Sequence, residues 1–126
     1  MTPLVFGELK IDAVQTGGPG SPMDLYWRGR SLDRHPAHTL VPYVTGILQE
    51  AKKENAILRL HFETVDLINS STITAVIQII RAARGQQVRL EIVFDRTTEW
   101  QKLSFDALSV LQQGDDLFRL VGDGEK

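Results

Sequence analysis

Across residues 4–14, Leu9, Ile11 and Ala13 alternate with Glu8, Lys10 and Asp12. Period 2 is the signature of a half-buried strand. Gly17, Gly18, Pro19, Gly20 and Pro22 then interrupt the pattern with turn chemistry. Alternation resumes with Met23, Leu25 and Trp27 set against Asp24, Tyr26 and Arg28. Two such runs around a Gly/Pro loop predict an antiparallel hairpin. A connector over 29–38 leads to a helix over about 39–53, with Leu40, Val44, Ile47, Leu48 and Ala51 on one face. Pro36 or Pro42 would be tolerated only in a first helical turn, which places the start between about 35 and 41. Residues 56–63 alternate again, and 64–69 read as a loop. A second helix over 71–84 is stopped by Gly85, in the position of a C-terminal cap. Residues 88–94 form another alternating strand, and 99–111 a third helix ended by Gly114. A short strand over 117–121 and a frayed tail over 122–126 complete the chain.

The predicted order is β-β-α-β-α-β-α-β, one α/β domain over 1–126. Strand–helix–strand crossovers are right-handed and make their strands parallel. Arg59, His61 and Glu63 cannot all lie beneath a helix. The expected architecture is therefore a mixed sheet with helices mainly on one face, leaving Arg59, His61 and Arg89 accessible to solvent. The second helix is apolar over an arc of about 220°, from Ile73 and Ile77 round to Ala82. A sheet face needs a stripe somewhat over about 100°, so the excess must meet a neighbouring helix or a partner. On the third helix Trp100, Leu103, Ala107, Val110 and Leu111 form the expected inward arc. Phe105 then points about 140° or more away, as a stray exposed aromatic or as an anchor for a partner. Trp27 and Trp100 are expected in the core.

Composition narrows the class. The chain has 126 residues, 42% of them hydrophobic and 24% charged, an ordinary globular mix. Fourteen basic residues against sixteen acidic ones give a net charge of −2, with no positive excess asking for nucleic acid. Without cysteine there is no disulfide framework, thiolate nucleophile or cysteine metal cage. No apolar run reaches the roughly 20 residues that span a bilayer, and residues 1–10 lack a signal-peptide layout. A cytoplasmic domain without membrane insertion is expected.

The chemistry concentrates at Asn69-Ser70-Ser71-Thr72, where strand hands over to helix. Asn69, Ser70 or Ser71 would make a good N-cap, but a cap needs one such residue and three hydroxyls stand in a row. His35, His38 and His61 have no carboxylate at metal-ligand spacing, so neither a metal nor another cofactor is expected. Ser70 and Ser71 lack the Gly-x-Ser-x-Gly elbow that would expose a nucleophile. Gly17-Gly18-Pro19-Gly20 lacks the Lys-Ser/Thr ending of a phosphate loop and reads as a hairpin loop.

The element order, the strand exit Trp27-Arg28-Gly29-Arg30-Ser31-Leu32-Asp33 and the Asn69-Ser70-Ser71 turn together resemble the STAS domain. This is the fold of anti-sigma factor antagonists and of the cytoplasmic domain of sulfate transporters. The strand exit is similar to the family's Gly-x-Leu-Asp, and the turn to its Asp-Ser-Ser-Gly. The resemblance implies a non-enzymatic partner-switching module, phosphorylated on Ser71, or else Ser70 or Thr72, by a serine kinase that is also the anti-sigma factor. The partner surface it implies comprises Asn69, Thr72, Thr74 and Gln78, with Phe105 added from the helical wheel. The chain departs from the family at Asn69, which stands for Asp, and at Thr72 and Thr74, which stand for Gly. Other functions consistent with the sequence are a nucleotide- or lipid-sensing module and a constitutive scaffold whose turn is not modified.

Overall fold

Gly7 takes a φ of 62° and divides the expected first strand into β1 (Leu4–Phe6) and β2 (Leu9–Val14). Their register pairs Phe6 with Leu9 across a two-residue turn, and glycine is the residue that adopts a left-handed conformation without steric cost there. The computed structural model describes residues 1–124. After the hairpin come β3 (Met23–Ser31), α1 (Ala37–Glu54), β4 (Leu58–Ile68), α2 (Ser70–Gly85), β5 (Leu90–Asp95), α3 (Glu99–Asp106) and β6 (Phe118–Asp123). The order is therefore β-β-β-α-β-α-β-α-β, one short strand more than expected.

The six strands lie side by side in chain order. β1, β2 and β3 are antiparallel, whereas β3 to β6 are parallel. Met23, Leu25 and Trp27 of β3, Leu58, Leu60 and Phe62 of β4, and Leu90, Ile92 and Phe94 of β5 share one core with the apolar faces of the helices. The alternate side chains face away from it, so the helices cover a single face. α2 packs beside α1, and in its apolar excess Ile73 and Ile77 are partly buried against the core rather than left to solvent.

Several boundaries differ from the sequence pattern, each for a local reason. α1 begins at Ala37 and contains Pro42 in its second turn, where the proline is exposed. The helix stops at Asn55, held at φ 54°, because a short polar side chain tolerates the left-handed conformation that ends helices. β4 continues through the expected loop at 64–68, paired to β3 from Thr64 to Ile68. It thus carries the chain straight to Asn69. On the other side of β3, Gly29 takes a φ of 91° beside the Glu8 carbonyl, where a Cβ would clash, and its pairing with β4 shifts register between Gly29 and Arg30. β6 runs to Asp123, with Gly122 and Asp123 paired to Phe94 and Asp95. The expected frayed tail thus does not begin at 122, and its last two residues lie outside the described residues.

The third helix is turned relative to the expected arc. α3 ends at Asp106 and tightens into a 3₁₀ turn, Ala107–Leu111. Its buried residues are Gln101, Phe105 and Leu108, whereas Leu103 is 66% and Val110 81% exposed. A polar residue at the centre of the inner face reversed the pattern, and the change of pitch spoiled its extrapolation past Asp106.

Candidate functional site

β3 and β4 end side by side, with Ser31 paired to Ile68. The chain after β4 therefore meets the β3–α1 connector. Asn69 has extended backbone angles and caps α2. Its Oδ1 accepts from the Thr72 amide at 2.9 Å and from the Thr72 hydroxyl at 2.7 Å. Its Nδ2 donates to the Asp33 carbonyl at 2.8 Å. The Asn69 amide donates to the Ser31 carbonyl at 3.1 Å, and the hydroxyls of Ser31 and Thr72 lie 2.7 Å apart. This network explains why asparagine fits here: aspartate at 69 would set an oxygen against the Asp33 carbonyl in place of the amide donor.

The hydroxyl residues divide into structural and accessible ones. Thr72 is fully buried, its hydroxyl held between Asn69 and Ser31, so it does not belong to a partner surface or to the acceptor positions. Ser70 is exposed, and its carbonyl accepts the Thr74 hydroxyl at 3.2 Å. Ser71 is half-buried, and its side chain makes no hydrogen bond among the described residues. It lines a recess of about 200 Å³ with Thr74, with Arg34 and His35 of the connector and with His38 in the first turn of α1. Gln78 is exposed further along α2.

Phe105 is absent from this surface. It is fully buried, with ring centroids 5.0 Å from Phe62, 5.4 Å from Phe94 and 6.4 Å from Trp100. The exposed-anchor expectation is corrected: the inner face of α3 is the one that carries Phe105. Exposed apolar residues beside the turn are instead Leu32 and Leu67, 43% and 39% exposed. Leu32 belongs to the quoted strand exit. Leu67 lies in the expected loop, and the alternation of β4 breaks after Phe62, with Val65 and Ile68 the next buried residues, so periodicity gives no signal for it.

No family model and no curated protein matches the chain. Among solved structures it is similar to an uncharacterized DUF3478-family protein with a SpoIIAA-like fold from Shewanella loihica PV-4. That protein is 11% identical, the match covers 98% of this chain and 92% of the other, and the TM-score is 0.53. The fold is SpoIIAA-like. At this identity the likeness concerns the fold alone.

The open face of the SpoIIAA-like sheet carries a second polar cluster. Asp24 is 7% exposed, and its Oδ1 lies 2.8 Å from Arg59 Nε and 2.7 Å from His61 Nε2. The Tyr26 ring stacks on His61 at 4.3 Å, and Glu63 Oε1 lies 3.3 Å from His61 Nδ1. No second helical layer covers these residues, and Arg89 is exposed as expected. The His61 side chain, however, is only 14% exposed, enclosed by its neighbours on the sheet. Among the described residues no group of three His, Asp or Glu side chains is placed to hold a metal ion. No helix of the described residues is long and apolar enough to cross a membrane.

Burial raises the Asp24 carboxyl, but hydrogen bonds from Arg59 and His61, reinforced by charge attraction, hold it below its ordinary value. A carboxyl lowered on folding contributes stability above its unfolded value, about 3.9, and loses it as pH falls through the folded value. Chemical denaturation from pH 6 down to 2 should therefore show the native chain losing more stability than Asp24→Asn below about pH 4. Parallel losses in the two proteins would remove this role from Asp24.

Proposed function

We propose that this chain is a non-enzymatic, cytoplasmic partner-switching module of the STAS kind, similar to the anti-sigma factor antagonists. It docks a regulatory protein of the anti-sigma factor or serine-kinase class through the surface around Ser70, Ser71, Thr74 and Gln78, bordered by Leu32 and Leu67. Phosphorylation of Ser71 releases that partner. The observation supporting this reading is the division of labour in the turn. Asn69 and Thr72 make the cap, while Ser71 stands at the surface without an internal hydrogen bond. A phosphate on Ser71 adds about −1.5 to −2 charges at pH 7 and leaves the cap bonds intact. The first turn of a helix favours negative charge by roughly 0.3–1 kcal/mol, so the modified domain stays folded. A partner seated on the turn would instead meet added charge and bulk in a desolvated contact.

The test is affinity capture of the partner from the native cell, followed by binding measurements with unmodified and phosphorylated chain. Phosphorylation at Ser71 should lower affinity at least about tenfold, or about 1.4 kcal/mol. Ser71→Ala should bind normally and resist modification. Equal affinity of the two forms would end the switch reading and leave the turn as a helix cap.

A further inference from the structure

The recess between the β3–α1 connector and the first turn of α2 has a chemistry that the docking surface does not use. Its volume is about 200 Å³, below the roughly 300–1,000 Å³ of pockets that enclose whole small-molecule ligands. That size fits one small group. Arg34, His35 and His38 line it together with Ser71 and Thr74, so guanidinium and imidazole groups, which carry N–H donors, stand near the Ser71 hydroxyl. No carboxylate lines it among the described residues. The nearby Asp33 has Oδ1 committed to the His35 amide at 2.7 Å. Arg34 has no ion-pair partner among the described residues. The two imidazoles stack at 5.6 Å, and the His38 amide donates to the His35 carbonyl, which brings the end of the connector and the first turn of α1 together.

We infer that this recess is a receiver for a phosphate monoester, with Arg34 supplying the charge and His35 and His38 ring donors. Guanidinium and phosphate form charge-assisted, often bidentate hydrogen bonds, and the absence of a competing carboxylate leaves Arg34 available for one. The phosphate comes either from Ser71 itself, once modified, or from a free phosphorylated small molecule. For the first source the inference rests on the Ser71 reading above; for the second it does not.

Two arms of one experiment separate the sources. In the first, phosphoserine is installed at position 71 during translation, so that neither kinase nor partner takes part. The ³¹P resonance and the Arg34 Nε–H resonance are then followed. The expected result is a shift of both in the native chain, with the ³¹P shift lost in Arg34→Gln and kept in part by Arg34→Lys. In the second arm the unmodified chain is titrated with inorganic phosphate, with chloride at matched ionic strength as control. Amide shifts confined to residues 34–38 and 71–74 are expected, with affinity weakened at least about fivefold by Arg34→Gln. Arg34 is exposed, so unchanged spectra elsewhere in the variant exclude misfolding as the cause of a loss. An Arg34-dependent response in either arm supports the receiver and identifies its source. No response in either arm, or one indifferent to Arg34→Gln, overturns it. A failed partner switch would look different: phosphoserine would leave partner binding unchanged while Arg34 still responded.

Discussion

Phe105→Ala is expected to destabilise the domain by about 3–5 kcal/mol and, at about 3–5 °C for each kcal/mol in a chain of this size, to lower its melting temperature by roughly 10–20 °C. The Phe105 side chain has no solvent exposure and packs against the rings of Phe62, Phe94 and Trp100. Those rings belong to β4, β5 and α3, so truncation leaves a cavity that one rotamer change cannot close. Part of the cost is lost transfer free energy and part is the void. Leu103→Ala on the opposite side of α3 is the matching control. Leu103 is 66% exposed, and its loss should change stability by no more than about 0.5 kcal/mol. Denaturant unfolding of both variants checks the pair. Near-native stability of Phe105→Ala would return Phe105 to the surface.

Gln101→Leu should cost about 2–4 kcal/mol, although it replaces a polar residue by an apolar one in a buried position. Gln101 is fully buried, and its Oε1 accepts from the Asp95 amide at 2.8 Å. Its Nε2 donates to the Phe62 carbonyl at 2.8 Å and to the Val65 carbonyl at 3.1 Å. β5 pairs with β4 only from Leu58 to His61. Beyond that point β4 has no ladder partner on this side, and the Gln101 side chain takes the place of one. Leucine has nearly the same volume but leaves one partly buried amide and two buried carbonyls without these bonds, and each loss at a buried group costs about 1–3 kcal/mol before relaxation. Gln78→Leu, at an exposed position of α2, should change stability by no more than about 0.5 kcal/mol. The measurement is the urea midpoint with its slope. An unchanged midpoint in Gln101→Leu would mean that water or backbone adjustment replaces the amide.

Much of the molecule is legible in its sequence because the information is local. Alternation at Met23, Leu25 and Trp27, at Leu58, Leu60 and Phe62, and at Leu90, Ile92 and Phe94 identified three strands and the side chains they bury. The helical faces of α1 and α2 followed in the same way. Asn69 was one of three adjacent residues suited to capping, because a side-chain acceptor before a helix meets amides only a few residues away. Tertiary structure decided the rest, where a polar group finds its partner far along the chain. Thr72 resembles its neighbours in sequence and is buried because Ser31, on β3, lies beside it. Gln101 is polar and yet buried, because its amide meets carbonyls of β4 that lack a ladder partner, and an apolar arc drawn without it turned Phe105 outward. Arg34 and Ser71 face one recess only because β3 and β4 end in register. Periodicity reports which residues are apolar, but not which polar groups the fold can satisfy inside.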